Sequence, residues 1–121
     1  MPIVEQAIYV PTKQTGGMLG LARRAGKVCP GVSPTLGAVR SHRKPALVLV
    51  AEEASEATKS KLWGVCFAHE VPYITLRSEG LLGKAIGAKT EIYAIGILDI
   101  GFADRIRSTC VLTRSNEGEQ E

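Results

Sequence analysis

The run Ala46-Leu47-Val48-Leu49-Val50-Ala51 constrains the fold more than any other feature of this chain. It is apolar without interruption, as expected of a strand covered on both faces rather than one with a wet side. Such a strand needs helices above and below its sheet. From Thr15 to Ala25, Met18, Leu19, Leu21 and Ala22 fall at near-helical spacing, ended by Gly26. Gly16, Gly17 and Gly20 weaken that helix or permit a close approach to a neighbour. Lys27-Val28-Cys29 reads as a short strand. Ser33-Pro34 reads as a helix start, with Ser at the N-cap and Pro at the first helical position, and the helix runs to about Ser41.

After the apolar run, Ser55 caps a helix whose Leu62, Val65, Cys66 and His69 recur on one face. Val71 to Leu76 is the next expected strand. Ser78 then caps a helix with Leu81, Leu82, Ala85 and Ile86 inward and Gly87 as its stop. Ile92 to Ile100 reads as a long buried strand and Phe102 to Leu112 as a final helix. Alternating strands and helices predict an α/β protein with a helix, a sheet and a helix layer. At 121 residues the chain suits one domain. The expected division is an N-terminal arm over 1–14, a domain over 15–112, and an acidic, disordered tail over 113–121.

Charge is unevenly placed. Glu117, Glu119 and Glu121 carry negative charge in the tail, and removing those three from a net charge of +3 leaves +6 on the rest. Arg23, Arg24 and Lys27 form one basic group, and Arg40, Arg43 and Lys44 another. Both suit a phosphate backbone; the plain alternative is a solvated face. No run approaches the ~18 apolar residues of a membrane span. The opening Met1-Pro2-Ile3-Val4-Glu5 lacks the layout of a secretion signal. Cys29, Cys66 and Cys110 are an odd, widely spaced set, which speaks against a disulfide framework and for a cytoplasmic protein.

Catalytic and cofactor chemistry find little support. Gly16-Gly17-Met18-Leu19-Gly20 lacks the spacing of a dinucleotide fingerprint, and positions 36–45 hold no ribose-binding acid. Gly26-Lys27 and Gly83-Lys84 are each followed by an apolar residue, so neither completes a P-loop. No CxxC pair is present, and His42 and His69 are the only histidines. Cys66 and His69 share a helix face, but that face is the apolar stripe, where a Cys acts as a small hydrophobe. Glu52-Glu53 reads as a loop leading into the next helix, where acids favour the dipole. No catalytic residue, metal or cofactor is expected.

Five segments together carry a family resemblance. They are Met18 to Val28 (MLGLARRAGKV), Leu47 to Lys59 (LVLVAEEASEATK), Val71-Pro72-Tyr73, Leu82 to Gly87 (LGKAIG) and Gly101-Phe102-Ala103. In this order they resemble the bacterial YlxQ-type branch of the ribosomal L-seven-Ae/L-thirty-e superfamily, over about residues 16–112. The resemblance implies a three-layer α/β/α sandwich with a small mixed sheet of about four strands. It also implies binding to structured RNA, a kink-turn or ribosomal RNA, with ribosomal proteins as neighbours. In that family a Gly-x-Asn-Glu-x-x-Lys segment at the start of the second helix meets the RNA, with a loop before the last strand. Glycine lets the backbone approach, Asn and Glu bond splayed guanine edges, and Lys meets phosphate.

Here the segment reads Gly31-Val32-Ser33-Pro34-Thr35-Leu36-Gly37, with Ser33, Pro34 and Gly37 at the Asn, Glu and Lys positions. The RNA-facing set implied is Gly31, Val32, Ser33 and Gly37 with loop residues Ala88, Lys89 and Thr90, and Arg23, Lys27 and Arg40 on phosphates. Losing a bidentate base contact costs ~1–3 kcal/mol, so two losses weaken kink-turn specificity. The alternative is a protein-interaction module on the same fold, using the surface Cys29 to Pro34 and the arm, with weak salt dependence.

Overall fold

The computed structural model of the protein describes residues 7–113. Its elements are β1 (Ile8–Val10), α1 (Lys13–Arg24), β2 (Val28–Pro30), α2 (Val32–Val39), β3 (Leu47–Ala51), α3 (Glu56–Ala68), β4 (Tyr73–Leu76), α4 (Leu81–Ala85), β5 (Ala94–Ile97), α5 (Ile100–Thr109) and β6 (Val111–Thr113). They build an α/β fold around one sheet in the order β2-β5-β3-β4-β1-β6. β4 lies parallel to both β3 and β1, whereas β5 is antiparallel to β3 and β2, and β6 to β1. Strands β1 to β4 therefore all point the same way. Their carboxyl ends define one end of the sheet, the carboxyl end, and their starts define the amino end.

β3 is buried at every position, as its unbroken apolar run predicts. Its side chains alternate between two cores. Leu47, Leu49 and Ala51 join Leu19 and Ala22 of α1, Leu82 of α4, and Ala103 and Ile106 of α5. Val48 and Val50 face the other way, onto Leu36 and Val39 of α2 and Leu62 and Cys66 of α3. Helices thus cover both faces.

The sheet has six strands, not about four. The additional pair is β1 and β6, aligned Ile8↔Thr113, Tyr9↔Leu112 and Val10↔Val111. A three-residue strand is too short to show a period of two, so only the pairing of segments about a hundred residues apart reveals it. Residues 8–10 of the expected arm thereby join the sheet, and α1 begins at Lys13. The hydroxyl of Thr12 donates to Thr109 O at 2.7 Å, and those of Thr15 and Thr109 meet at 2.7 Å, fastening the start of α1 to the end of α5. The acidic tail from residue 114 lies outside the described residues.

The last third of the chain also departs from its sequence reading. Asp99 ends the expected long strand by accepting the Phe102 N–H at 3.0 Å as the N-cap of α5. α5 then stops at Thr109, where Val111, Leu112 and Thr113 favour a strand. By contrast Ser55 caps α3 as expected, accepting from Thr58 N at 3.1 Å.

Leu49→Ala removes a fully buried side chain from the central strand. Chemical denaturation is expected to show a loss of about 2–5 kcal/mol with little change in the denaturant slope.

Candidate functional site

Four helices, α1 to α4, begin at the carboxyl end because each follows a strand running toward it. Helix α2 starts, as α4 does at Gly80, on a glycine of positive φ, but no side-chain oxygen caps it. Gly31 is its N-cap, with φ of 103°, a conformation that L side chains rarely adopt. Its N–H donates to Ala94 O at 2.7 Å, and its carbonyl accepts from Thr35 N at 3.0 Å. The buried hydroxyl of Thr35 reaches back to Cys29 O at 3.0 Å. Helix α2 is thereby pinned to β2 and β5 from its first turn.

This geometry corrects the expected start. Ser33 is not the N-cap, and Pro34 stands two positions further in than the first helical residue. The positive φ of Gly31 turns the chain early, and Pro34 is tolerated because first-turn N–H groups have no intrahelical partner. No side chain caps this end. The first turn presents the N–H groups of Val32 and Ser33, while Pro34 has none to offer. Ser33 and Pro34 are exposed and Val32 is half-buried.

The loop from α4 to β5 lies alongside. Gly80 stands at the N-cap of α4, but Ser78 still supplies the capping oxygen, accepting from Leu82 N at 3.2 Å. Gly87 stops the helix with φ of 70°. Ala88 N donates to Gly83 O at 2.9 Å, folding the loop back. A Cβ on Gly83 would stand 3.1 Å from Thr90 O and 3.5 Å from Ile92 Cγ1, so the loop rests on the bare backbone of that glycine. Ala88 is half-buried, and Lys89, Thr90 and Glu91 are exposed. The loop leads into Ala94, which holds Gly31. Gly31 is thus tied to the head of the strand into which the Ala88–Thr90 loop leads, at the same end of the sheet. Gly37 lies further along α2 and is exposed, and a Cβ added there would meet nothing within 4 Å.

One residue at this end is hidden from the sequence reading. Tyr93 falls inside the expected strand, but the strand begins only at Ala94 and Tyr93 is 38% exposed. Nearby Glu91, a charged residue at the head of an otherwise apolar run, is the signal that the loop extends further. An exposed aromatic beside an open helix start offers a stacking face.

Of the acids at this end, Glu52 and Glu53 are already engaged, whereas Glu91 is exposed. Glu53 accepts from Ser78 N and Glu79 N at 3.1 and 3.0 Å, and Glu52 pairs with Arg77 at 3.4 Å. Lys59 is buried, donates to Glu52 O at 3.0 Å, meets Glu56 at 3.2 Å and lies 5.9 Å from the Trp63 ring centroid. These contacts lock the turn after β3 rather than present a carboxylate pair to a substrate. Cys66 is fully buried in the α3 core, and burial pushes its thiol up to about 11, so it holds no thiolate near neutral pH.

Arg23, Lys27 and Arg40 are not brought together with this set. Arg23 is in the last turn of α1, and Arg40 is the C-cap of α2. Lys27 O accepts from Leu98 N at 2.8 Å, beyond the far end of β5. All three therefore belong to the amino end.

Two glycines of this segment are expected to respond oppositely to alanine. Gly31→Ala forces a side chain into the positive-φ region with its Cβ 3.2 Å from Pro34 Cδ, and should destabilise the fold by about 1–3 kcal/mol. Gly37→Ala, exposed and unobstructed, should stabilise it by about 0.5–1 kcal/mol. Thermal unfolding of both variants checks the pair.

Comparison with known proteins agrees with this architecture. The model of the Ribosomal protein L7Ae/L30e/S12e/Gadd45 family matches residues 13–107. The RNA-binding protein YlxQ of Bacillus subtilis is 36% identical over 91 residues, spanning 75% of this chain and 89% of that protein. The protein of the same name from Enterococcus faecium is 38% identical over 90 residues, spanning 74% and 84%. A solved protein of unknown function from Bacillus halodurans C superposes with a TM-score of 0.73 at 30% identity, covering 81% of this chain and 97% of that one. The Giardia lamblia 15.5kD RNA binding protein shares the fold, with a TM-score of 0.66 at 17% identity over 83% and 91% of the two chains. The chain belongs to the Ribosomal protein L7Ae/L30e/S12e/Gadd45 family, in its YlxQ-type branch.

Proposed function

We propose that the protein is a non-enzymatic binder of structured RNA, of the kink-turn or ribosomal kind, acting in the cytoplasm beside ribosomal proteins. Two relatives named RNA-binding proteins, at 36% and 38% identity, support RNA as the partner. The observation that carries the reading is the Gly31–Ala94 hydrogen bond of 2.7 Å, which holds an uncapped helix start against the head of β5. Gly31, Val32 and Ser33 approach the RNA backbone, with the N–H groups of Val32 and Ser33 turned to phosphate. Ala88, Lys89 and Thr90 form the second wall, with Tyr93 beside them as a stacking face. Gly37 marks where a lysine would reach a phosphate. Among the described residues no helix is long and apolar enough to cross a membrane.

A protein-interaction role is the second reading, and Pro34 favours it. Exposed in the first turn of α2, Pro34 provides neither an acceptor side chain nor an N–H where the family places a base-reading acid.

A titration separates the two. A kink-turn RNA and the same duplex without its sheared G·A pairs are each titrated at two salt concentrations. Selective binding to the kinked RNA is expected, weakening steeply as salt rises. Ser33→Asn with Gly37→Lys should tighten kink-turn binding by about tenfold or more, in proportion to the base and phosphate contacts restored. No binding to either RNA at low salt would defeat the RNA reading in favour of a protein partner.

A further inference from the structure

The cations that the sequence places in two groups lie at the same end of the sheet, opposite the Gly31 site, with α1 on one face and α2 on the other. Leu98 N donates to Lys27 O at 2.8 Å and Ala46 N to Ile97 O at 2.7 Å, so the starts of β2 and β3 and the end of β5 form one row. Helices α1 and α2 end beside that row, with Arg23 and Arg24 in the last turn of one and Arg40 capping the other. Arg43 and Lys44 lie in the loop that enters β3. Arg23, Arg24, Lys27, Arg40, Arg43 and Lys44 are all exposed. The ion pairs found among the described residues, Lys59–Glu56 and Arg77–Glu52, involve none of them.

The loop carrying Arg43 is ordered in advance. The Ser41 hydroxyl donates to Ala38 O at 2.7 Å and accepts from Arg43 N at 3.1 Å. Lys44 Nζ reaches His69 O at 3.3 Å. Of the acids at this end, Asp99 is committed to capping α5, which leaves Glu70 and, one turn into α5, the exposed Asp104. Cations at helix ends complement the dipoles, which accounts for Arg23, Arg24 and Arg40. It accounts also for Lys44, whose Nζ meets the carbonyl of His69 at the C-cap of α3, but not for Lys27 and Arg43, which stand beyond the helices and add repulsion. A polyanion relieves that repulsion. Leu98 and Ile100, 40% and 64% exposed, lie in the same row and offer apolar contact to sugar edges between phosphates.

We infer that the amino end of the sheet is a second docking surface, for the sugar–phosphate backbone of an RNA segment distinct from the one at Gly31. Helix α1, 12 residues long, sets the two ends about 18 Å apart. A short stem seated at Gly31 leaves the amino end uncovered, so one protein molecule joins two parts of a folded RNA. The inference rests on RNA being the partner, but not on kink-turn recognition.

The test uses the full chain and an unkinked RNA duplex, titrated across a salt series. The triple variant Arg40→Ala, Arg43→Ala, Lys44→Ala is compared with Lys89→Ala at the Gly31 end, and circular dichroism confirms that each is folded. The triple variant should lower the slope of log affinity against log salt by about 2 to 3 and weaken binding at least tenfold at moderate salt, with Lys89→Ala lowering the slope by at most about 1. Wild-type binding with an unaltered slope in the triple variant would overturn the second surface while leaving RNA binding intact. Absence of wild-type binding to both this duplex and a kink-turn RNA would overturn both readings. A polyglutamate peptide that binds the wild type as tightly as the duplex, and loses binding in the triple variant, would reassign the surface to an acidic protein.

Discussion

Strand β3 carries two cores at once. Leu47, Leu49 and Ala51 anchor α1, α4 and α5 on one face, and Val48 and Val50 anchor α2 and α3 on the other. β5 and β4 flank it, so its backbone is paired on both sides as well. Nearly every apolar side chain that fixes a helix presses on this strand or its two neighbours, and burial of that kind supplies most of the driving force for folding. The positions of the helix ends, and hence of any site built from them, follow from it.

The direction of the strands turns this core into a functional arrangement. Because β1 to β4 run together, the starts of α1 to α4 gather at one end and the ends of α1 to α3 at the other. Helix starts favour anions, and cationic residues accumulate where helices finish. At the carboxyl end the acids Glu52 and Glu53 are used inside the protein, on Arg77 and on the turn at Ser78 and Glu79. That leaves the start of α2, with glycine as its cap, as the place where backbone is free to approach a ligand. Gly83 performs the matching task for the opposite wall, since any side chain there would displace the carbonyl of Thr90.

The interior is legible in the sequence to a large degree. The unbroken run at 46–51 is the buried strand, Ser55 is the cap, and Leu62 and Cys66 lie on the buried face of α3. What escapes a sequence reading are features whose cause is remote along the chain. β1 and β6 exist only through each other, across the whole length of the domain. Ser-Pro is a strong local signal for a helix start, whereas the bond from Gly31 to Ala94 that overrides it is tertiary. Tyr93 is concealed within a strand that reads as longer than it is. The basic groups are visible in the sequence, but not that they share the end away from Gly31.

Mapping the backbone amides of isotope-labelled protein during titration with a kink-turn RNA tests the central claim most directly. The account predicts the largest early shifts at Val32, Ser33 and the 88–93 loop, with Ala94 following through its bond to Gly31. Shifts that leave this end untouched and fall instead on another face would contradict it.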